Sequence, residues 1–421
     1  MVYEITRDNK ELVGTLTLPP SKSESNRALI IREFVHEGFR IQNLSDSQDT
    51  QTLLRILNED KSNTDAERIY DVGSAGTTMR FLISLFANRP GVRILKGTER
   101  MHQRPVRILV DALREIGAKI DYLGKEGFPP IRITGTTLKG GTLEMDGSVS
   151  SQYISSLLMV APTLPLGLVI KLKGEIASRP YMNMTLKLME KFGVSGLLQE
   201  NGISVSPQRY HHSADEMEDG FEIEADWSAA SYWYAMAAFS EKVDLTLKGL
   251  RKTSLQGDSI LPDLFTLYGV STEILEDGIR LTKSPVLIDR FGYDFIDCPD
   301  IVQTMGVVTS ALGIPCLYRG LRTLKIKETD RGNALRNELK KFGLDFQVKS
   351  DDAAWFMETK GISEPIDMSI ATYDDHRMAM AFASLAMKTG RVRIENPQVV
   401  SKSYPAFWND MAAVGFKIRE L

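Results

Sequence analysis

Apolar and polar residues alternate in Thr15-Leu16-Thr17-Leu18 and again in Thr142-Leu143-Glu144-Met145, the pattern of strands buried on one face. Each run passes through a polar turn into a stretch rich in Ala, Ser, Met and Leu. The succession recurs six times, beginning at Gly14, Arg68, Gly141, Phe221, Asp294 and Ile366. The stretches after the turns are apolar nearly all round, most clearly over 229–239 and 378–387, which predicts helices buried in their domains. Their first residues are small, hydroxyl-bearing or acidic, which is capping chemistry. A second, more amphipathic helix follows in several copies, over 106–116, 184–192, 261–268 and 334–342. It stops at Gly117, Gly193, Gly269 and Gly343, as a helix C-terminus favours. The repeat is therefore strand, buried helix, strand, amphipathic helix and strand pair.

Six such units in 421 residues exceed what one hydrophobic core serves, so the expectation is an α/β (α+β) chain of two domains with three units each. The polar stretch 210–220 reads as a surface loop near the meeting of the halves. The domains are expected at 20–225, binding substrate, and at 1–19 with 226–421.

Net charge of -4 gives no general pull toward nucleic acid or an anionic membrane, so an anion site must be a local cluster of cations. Cys298 and Cys316 form no paired metal or disulfide pattern and suit a reducing compartment. The five histidines show no metal-ligand spacing, and no phosphate-loop or dinucleotide motif occurs. The N-terminus lacks a signal or transit pattern, and the apolar region 154–172 is broken by Pro162 and Pro165. A cytoplasmic protein that spans no membrane is expected.

Local clusters do occur. Ser21, Lys22, Ser23, Ser25 and Arg27 crowd one predicted helix start, with Ser21 as cap and Glu24 completing a capping box. A lysine there opposes the helix dipole by about 0.3 to 1 kcal/mol, a penalty that reverses if a phosphate or carboxylate is bound. The other reading is a solvated Ser-rich cap. Arg80 after Gly76-Thr77-Thr78 and Arg377 after Asp374-Asp375 repeat the arrangement, and Arg104 and Arg179 each precede a proline that starts a helix. If the six buried helices start on one side of their strands, their N-termini converge on a cleft between the domains. In the run Lys325 to Arg331, Glu328 and Arg331 form either a surface ion pair or, with a lysine, a proton donor and acceptor set. Ser148, Ser150, Ser151 and Gln152 offer hydroxyls and an amide at a helix start. Asp300 reads as an N-cap or a chemical carboxylate, and Lys402 as a loop lysine or an anion ligand.

Taken in order, the stretches SKSESNR, SAGTTMR, MHQRP, DGSVSSQ, SRPY, KETDR, YDDHRMAM and SKSYP resemble the 5-enolpyruvylshikimate-3-phosphate synthases of the enolpyruvyl transferase family, across essentially the whole chain. The resemblance implies a two-domain inside-out αβ barrel of βαβαββ units. It implies closure over shikimate 3-phosphate and phosphoenolpyruvate, and addition-elimination without metal or cofactor. It assigns Ser23, Arg27, Ser150, Ser151, Gln152, Ser178, Tyr181, Asp300 and Lys327 to shikimate 3-phosphate. Phosphoenolpyruvate is assigned to Lys22, Gly76, Arg80, Arg104, Gln152, Arg331, Arg377 and Lys402, with Lys22, Asp300 and Glu328 catalytic. A monomer acting on these two small molecules alone is expected. Ser74, Phe81 and Thr323 depart from the family's usual Asn, Pro and Asn. One rival is the UDP-N-acetylglucosamine enolpyruvyl transferases, which typically use a loop cysteine; neither cysteine here lies beside Arg104. Another is a non-catalytic binding protein on the same scaffold, expected to lose one of Lys22, Asp300, Glu328 or Arg377, all of which are present.

Overall fold

A computed structural model describes the chain except residues 37–38, 63–64, 149, 213–219, 350–353 and 363–367. Most of the predicted 210–220 loop, Val149 of the DGSVSSQ stretch and the head of the sixth repeat at Ile366 lie outside the described residues. The chain divides into two compact units, Met1–Ser21 with Glu224–Leu421, and Lys22–Ile223. Each has its own apolar core. Among the described residues no helix is long and apolar enough to cross a membrane.

One sheet order recurs among the described residues. In the Lys22–Ile223 unit, strand Glu67–Asp71 runs parallel to Gly91–Lys96, which pairs antiparallel with Ile131–Gly135 and through it with Lys119–Tyr122. Gly141–Asp146, Leu168–Lys173, Gly202–Val205 and Leu197–Gln199 repeat that order. The other unit repeats it three times, starting from Glu11–Thr17, Phe291–Asp294 and Ser369–Ile370. The physical reason is connection length: parallel neighbours need a crossover helix, whereas an antiparallel pair can close through a short turn. The Ser369–Ile370 sheet is the exception, because its antiparallel strands Val2–Thr6 and Lys417–Glu420 come from opposite ends of the chain. The crossover helices are the apolar ones. Every residue of Gly76–Ala87 is buried, and its polar groups are satisfied inside, as where the Ser156 hydroxyl donates to the Arg80 carbonyl at 2.7 Å. The predicted stops are real turns, with φ of +108° at Gly117, +76° at Gly193, +78° at Gly269 and +73° at Gly343.

Two repeats differ from the simple reading. The strand that leads into helix Lys22–Arg32, Glu11–Thr17, pairs in the other unit with Lys242–Lys248. Conversely Phe221–Glu222, ahead of helix Trp227–Phe239, pairs with Ile41–Gln42 in the Lys22–Ile223 unit. Strand and helix of these copies therefore belong to different units. Alternation specifies which face of a strand is buried but not which neighbour it joins. The predicted 378–387 helix is also interrupted, giving His376–Ala383 and Leu385–Thr389, at Ser384, whose hydroxyl donates to the Ala381 carbonyl at 2.6 Å.

Candidate active site

In the unit containing Glu224–Leu421, the polar residues gather around Arg331. It opens helix Arg331–Lys340, which starts earlier than predicted because Asp330 caps it by accepting from the Asn333 N–H at 3.0 Å. The Arg331 guanidinium is buried and donates to three carboxylates. Nε reaches Asp375 Oδ2 at 2.7 Å, Nη1 reaches Asp300 Oδ1 at 2.8 Å and Nη2 reaches Glu328 Oε2 at 2.7 Å. Burial works against its charge, but Asp375, Glu328 and Asp300 outweigh that and raise its pKa. The surface reading of the Glu328–Arg331 pair is thus overturned: both groups belong to a buried network. Nor does Asp300 cap a helix. It lies inside the turn Pro299–Ile301, and its side chain is spent on cations instead.

Arg377 supplies the second of these, with Nη2 at 2.8 Å from Asp300 Oδ2 and Nη1 donating to the Asp300 carbonyl at 3.1 Å. Lys327 Nζ is 3.5 Å from Asp300 Oδ1. Burial lowers the Lys327 pKa, while the neighbouring Asp300 carboxylate opposes the shift. Lys402 donates to the Asp374 carbonyl at 2.6 Å. Asp375 caps helix His376–Ala383, accepting from the Arg377 N–H at 2.9 Å, so cap and ion pair share one carboxylate. Among the described residues no group of His, Cys, Asp and Glu is arranged to hold a metal. The three converging carboxylates surround a guanidinium.

Asp258 went unnoticed in the sequence. It is 3% exposed and accepts from the Ser228 hydroxyl, and among the described residues its Oδ1 has no hydrogen-bond partner. Burial, then the charge of Asp300, pushes its carboxyl from 3.8 up to about 7, with Arg377 and Ser228 opposing. The folded protein therefore holds an extra proton between these values. The resulting penalty to stability is absent below the lower value, grows as pH rises and is complete above the upper one. Asp258→Asn is expected to flatten the loss of melting temperature between about pH 4 and 7 relative to the parent. Parallel melting curves across that range would contradict it.

The Lys22–Ile223 unit carries the second cluster. Lys22 Nζ lies 3.6 Å from Asp49 Oδ2, both largely buried, a partner that the sequence signals only as one acid in a polar run. Arg27 is held by hydroxyls and carbonyls. Nε donates to Thr185 Oγ1 at 2.7 Å, Nη2 to Ser155 Oγ at 3.0 Å and Nη1 to the Ser23 carbonyl at 2.8 Å. Its guanidinium carbon lies 5.5 Å from the centre of the Phe81 ring, which gives that departure from the family pattern a packing role. Burial lowers the Arg27 pKa to about 10. Ser150 caps helix Ser151–Val160, and Gln152 Nε2 donates to Thr77 Oγ1 at 3.1 Å. Ser178, with φ +58°, precedes the helix Arg179–Glu190 whose first turn holds Tyr181.

Helix Gly76–Ala87 starts without a capping side chain. Arg80 Nη1 donates to the Gly76 carbonyl at 3.0 Å and Nη2 to the Pro105 carbonyl at 3.2 Å. Arg104 packs on the same helix start: a Cβ at Gly76 would meet Arg104 Nη1 at 2.5 Å. Arg104 is 5% exposed, and among the described residues its Nε has no hydrogen-bond partner. A buried guanidinium beside uncapped helix N–H groups is suited to an anion.

The pattern of EPSP synthase (3-phosphoshikimate 1-carboxyvinyltransferase) matches residues 6–411. A 3-phosphoshikimate 1-carboxyvinyltransferase of Bacteroides fragilis (strain YCH46) is 46% identical over 411 residues, covering 97% of each chain. One of Idiomarina loihiensis is 36% identical, covering 95% of this chain and 96% of that one. Among solved structures, EPSP synthase from Acinetobacter baumannii superposes with a TM-score of 0.77 at 21% identity over 100% of both chains. The enolpyruvyl transferase NikO from Streptomyces tendae gives 0.72 at 15% identity, covering 99% and 98%. At such identities the two structures bear on the fold alone.

Proposed function

The chain belongs to the EPSP synthase family, and from that premise we propose that it transfers the enolpyruvyl group of phosphoenolpyruvate to the 5-hydroxyl of shikimate 3-phosphate. The products are 5-enolpyruvylshikimate 3-phosphate and phosphate, a step of the shikimate pathway to aromatic amino acids. The observation that carries the reading is the pair Asp300 and Glu328 held on one guanidinium amid Arg377 and Lys327. Addition needs a proton taken from the 5-hydroxyl as its oxygen bonds to C2, and a proton given to the methylene carbon. Asp300, with Lys22, serves the hydroxyl side, and Glu328 serves the methylene. Elimination returns the methyl proton to Glu328 as the C2–O bond to phosphate breaks.

Arg80, Arg104, Arg331, Arg377, Lys22 and Lys402 offset the charge of phosphoenolpyruvate, with Gly76 and Gln152 beside it. Ser23, Arg27, Ser150, Ser151, Gln152, Ser178, Tyr181, Asp300 and Lys327 hold shikimate 3-phosphate. The cysteine-dependent rival is disfavoured because both thiols are buried in the core; burial raises the Cys316 pKa to about 12 and that of Cys298 further. The reading includes a monomer in the cytoplasm, and two buried free thiols fit that reducing compartment. The test is phosphate release from phosphoenolpyruvate with shikimate 3-phosphate as acceptor, against UDP-N-acetylglucosamine. Release with only the latter, or with neither, overturns the reading.

Gly76→Ala provides a sharper check on the phosphoenolpyruvate assignment. The three atoms nearest the new methyl all belong to the far end of Arg104, so the fold is expected to tolerate it while the guanidinium is displaced. KM for phosphoenolpyruvate is expected to rise about tenfold, the loss of one charge-assisted hydrogen bond, with KM for shikimate 3-phosphate unchanged. Unaltered KM values for both would remove Arg104 from that role.

A further inference from the structure

Helix Arg331–Lys340 holds the segment 371–375 at two points. Arg331 Nε takes Asp375 Oδ2 at 2.7 Å. Glu338, seven residues on and so on the same face of the helix, accepts the Ala371 N–H on Oε2 at 3.1 Å and the Tyr373 hydroxyl on Oε1 at 2.8 Å. Glu338 is fully buried, with Lys341 Nζ at 2.6 Å balancing its charge. Burial and the Glu338 carboxylate push the Tyr373 phenol up to about 12, so it stays a donor.

Between the two holding points the backbone is strained. Tyr373 and Asp374 both have φ +54°, a left-handed path that residues with a Cβ keep only when their surroundings over-determine it. Groups already assigned to phosphoenolpyruvate hang on this turn. The Asp374 carbonyl accepts from Lys402, Asp375 pairs with Arg331, and Arg377 follows in the first turn of the next helix. Among the described residues, the hydrogen bonds and ion pair of the Glu338 side chain go to Ala371, Tyr373 and Lys341, none of them assigned to substrate.

We propose that Glu338, acting through Tyr373, is a positioning residue for phosphoenolpyruvate: it clamps the strained 371–375 turn and thereby sets Arg377 and Lys402. The inference rests on the reading of Arg377 as a phosphoenolpyruvate ligand, so the test includes that residue. Tyr373→Phe removes one hydrogen bond from a ring 37% exposed, so this variant folds; Glu338→Gln removes the charge and answers the same question where it is stable. Tyr373→Phe is expected to raise KM for phosphoenolpyruvate roughly fivefold, with KM for shikimate 3-phosphate and melting temperature unchanged. Combined with Arg377→Lys, its effect should be less than multiplicative, because both act through one guanidinium.

If Arg377→Lys raises KM for phosphoenolpyruvate while Tyr373→Phe leaves it within about twofold, the clamp is overturned and the site reading stands. Equal rises for both substrates, or fully multiplicative effects, also overturn it. If Arg377→Lys leaves KM for phosphoenolpyruvate unchanged, the assignment of Arg377 falls, and the proposal with it.

Discussion

Replacing Glu328 by glutamine is expected to slow turnover at least ~100-fold while KM for each substrate stays within about threefold. The amide is nearly the same shape as the carboxylate and can still accept the 2.7 Å hydrogen bond from Arg331 Nη2. The surrounding network therefore keeps its geometry. On the proposed assignment, what the variant lacks is a group that gives a proton to the methylene carbon and takes one back from the methyl group. General acid–base catalysis contributes about 10²- to 10⁴-fold, which sets the scale of the loss. Steady-state rates together with single-turnover formation of product separate this from slower release. A turnover number within about tenfold of the parent would take Glu328 out of the proton transfers.

Arg331→Met is expected to lower the melting temperature of its unit on the order of 10 °C as well as abolish measurable activity. Methionine fills much of the space but leaves Asp300, Glu328 and Asp375 facing one another without the guanidinium that all three contact. Breaking a buried pair by removing one partner costs about 3 to 5 kcal/mol, because the remaining charge stays desolvated. Here three carboxylates lose a partner, although Arg377 and Lys327 still neutralise Asp300. Arg331→Lys restores the charge but not the planar fork, so recovery should be partial. Calorimetry of the three proteins checks the order. A melting temperature for Arg331→Met within about 2 °C of the parent would show that the network carries little of the fold's stability.

The helix stops, the half-buried strands and the all-apolar crossover helices were legible because each depends on residues a few positions apart. Gly117, Gly193, Gly269 and Gly343 adopt the left-handed conformation that ends a helix, and no distant contact is needed to anticipate it. The Glu328–Arg331 spacing was legible too, but its environment was not. A surface pair and a buried triple ion pair share the same i, i+3 signature, and the difference comes from Asp300 and Asp375, 31 and 44 residues away from Arg331. Asp258 was missed for the same reason, since nothing near it in sequence announces that Ser228 and Arg377 surround it.

By itself, then, the sequence determined the six-fold repeat, the kinds of element within it and the polar residues at the helix starts, all consequences of local periodicity and capping. Only the tertiary structure decided that Glu11–Thr17 and Phe221–Glu222 pair away from the helices they lead into, and that Asp300, Glu328 and Asp375 share one arginine. Strand partners and buried ion pairs are selected by contacts between residues far apart along the chain, and hydrophobic alternation carries no record of which neighbour a strand will meet.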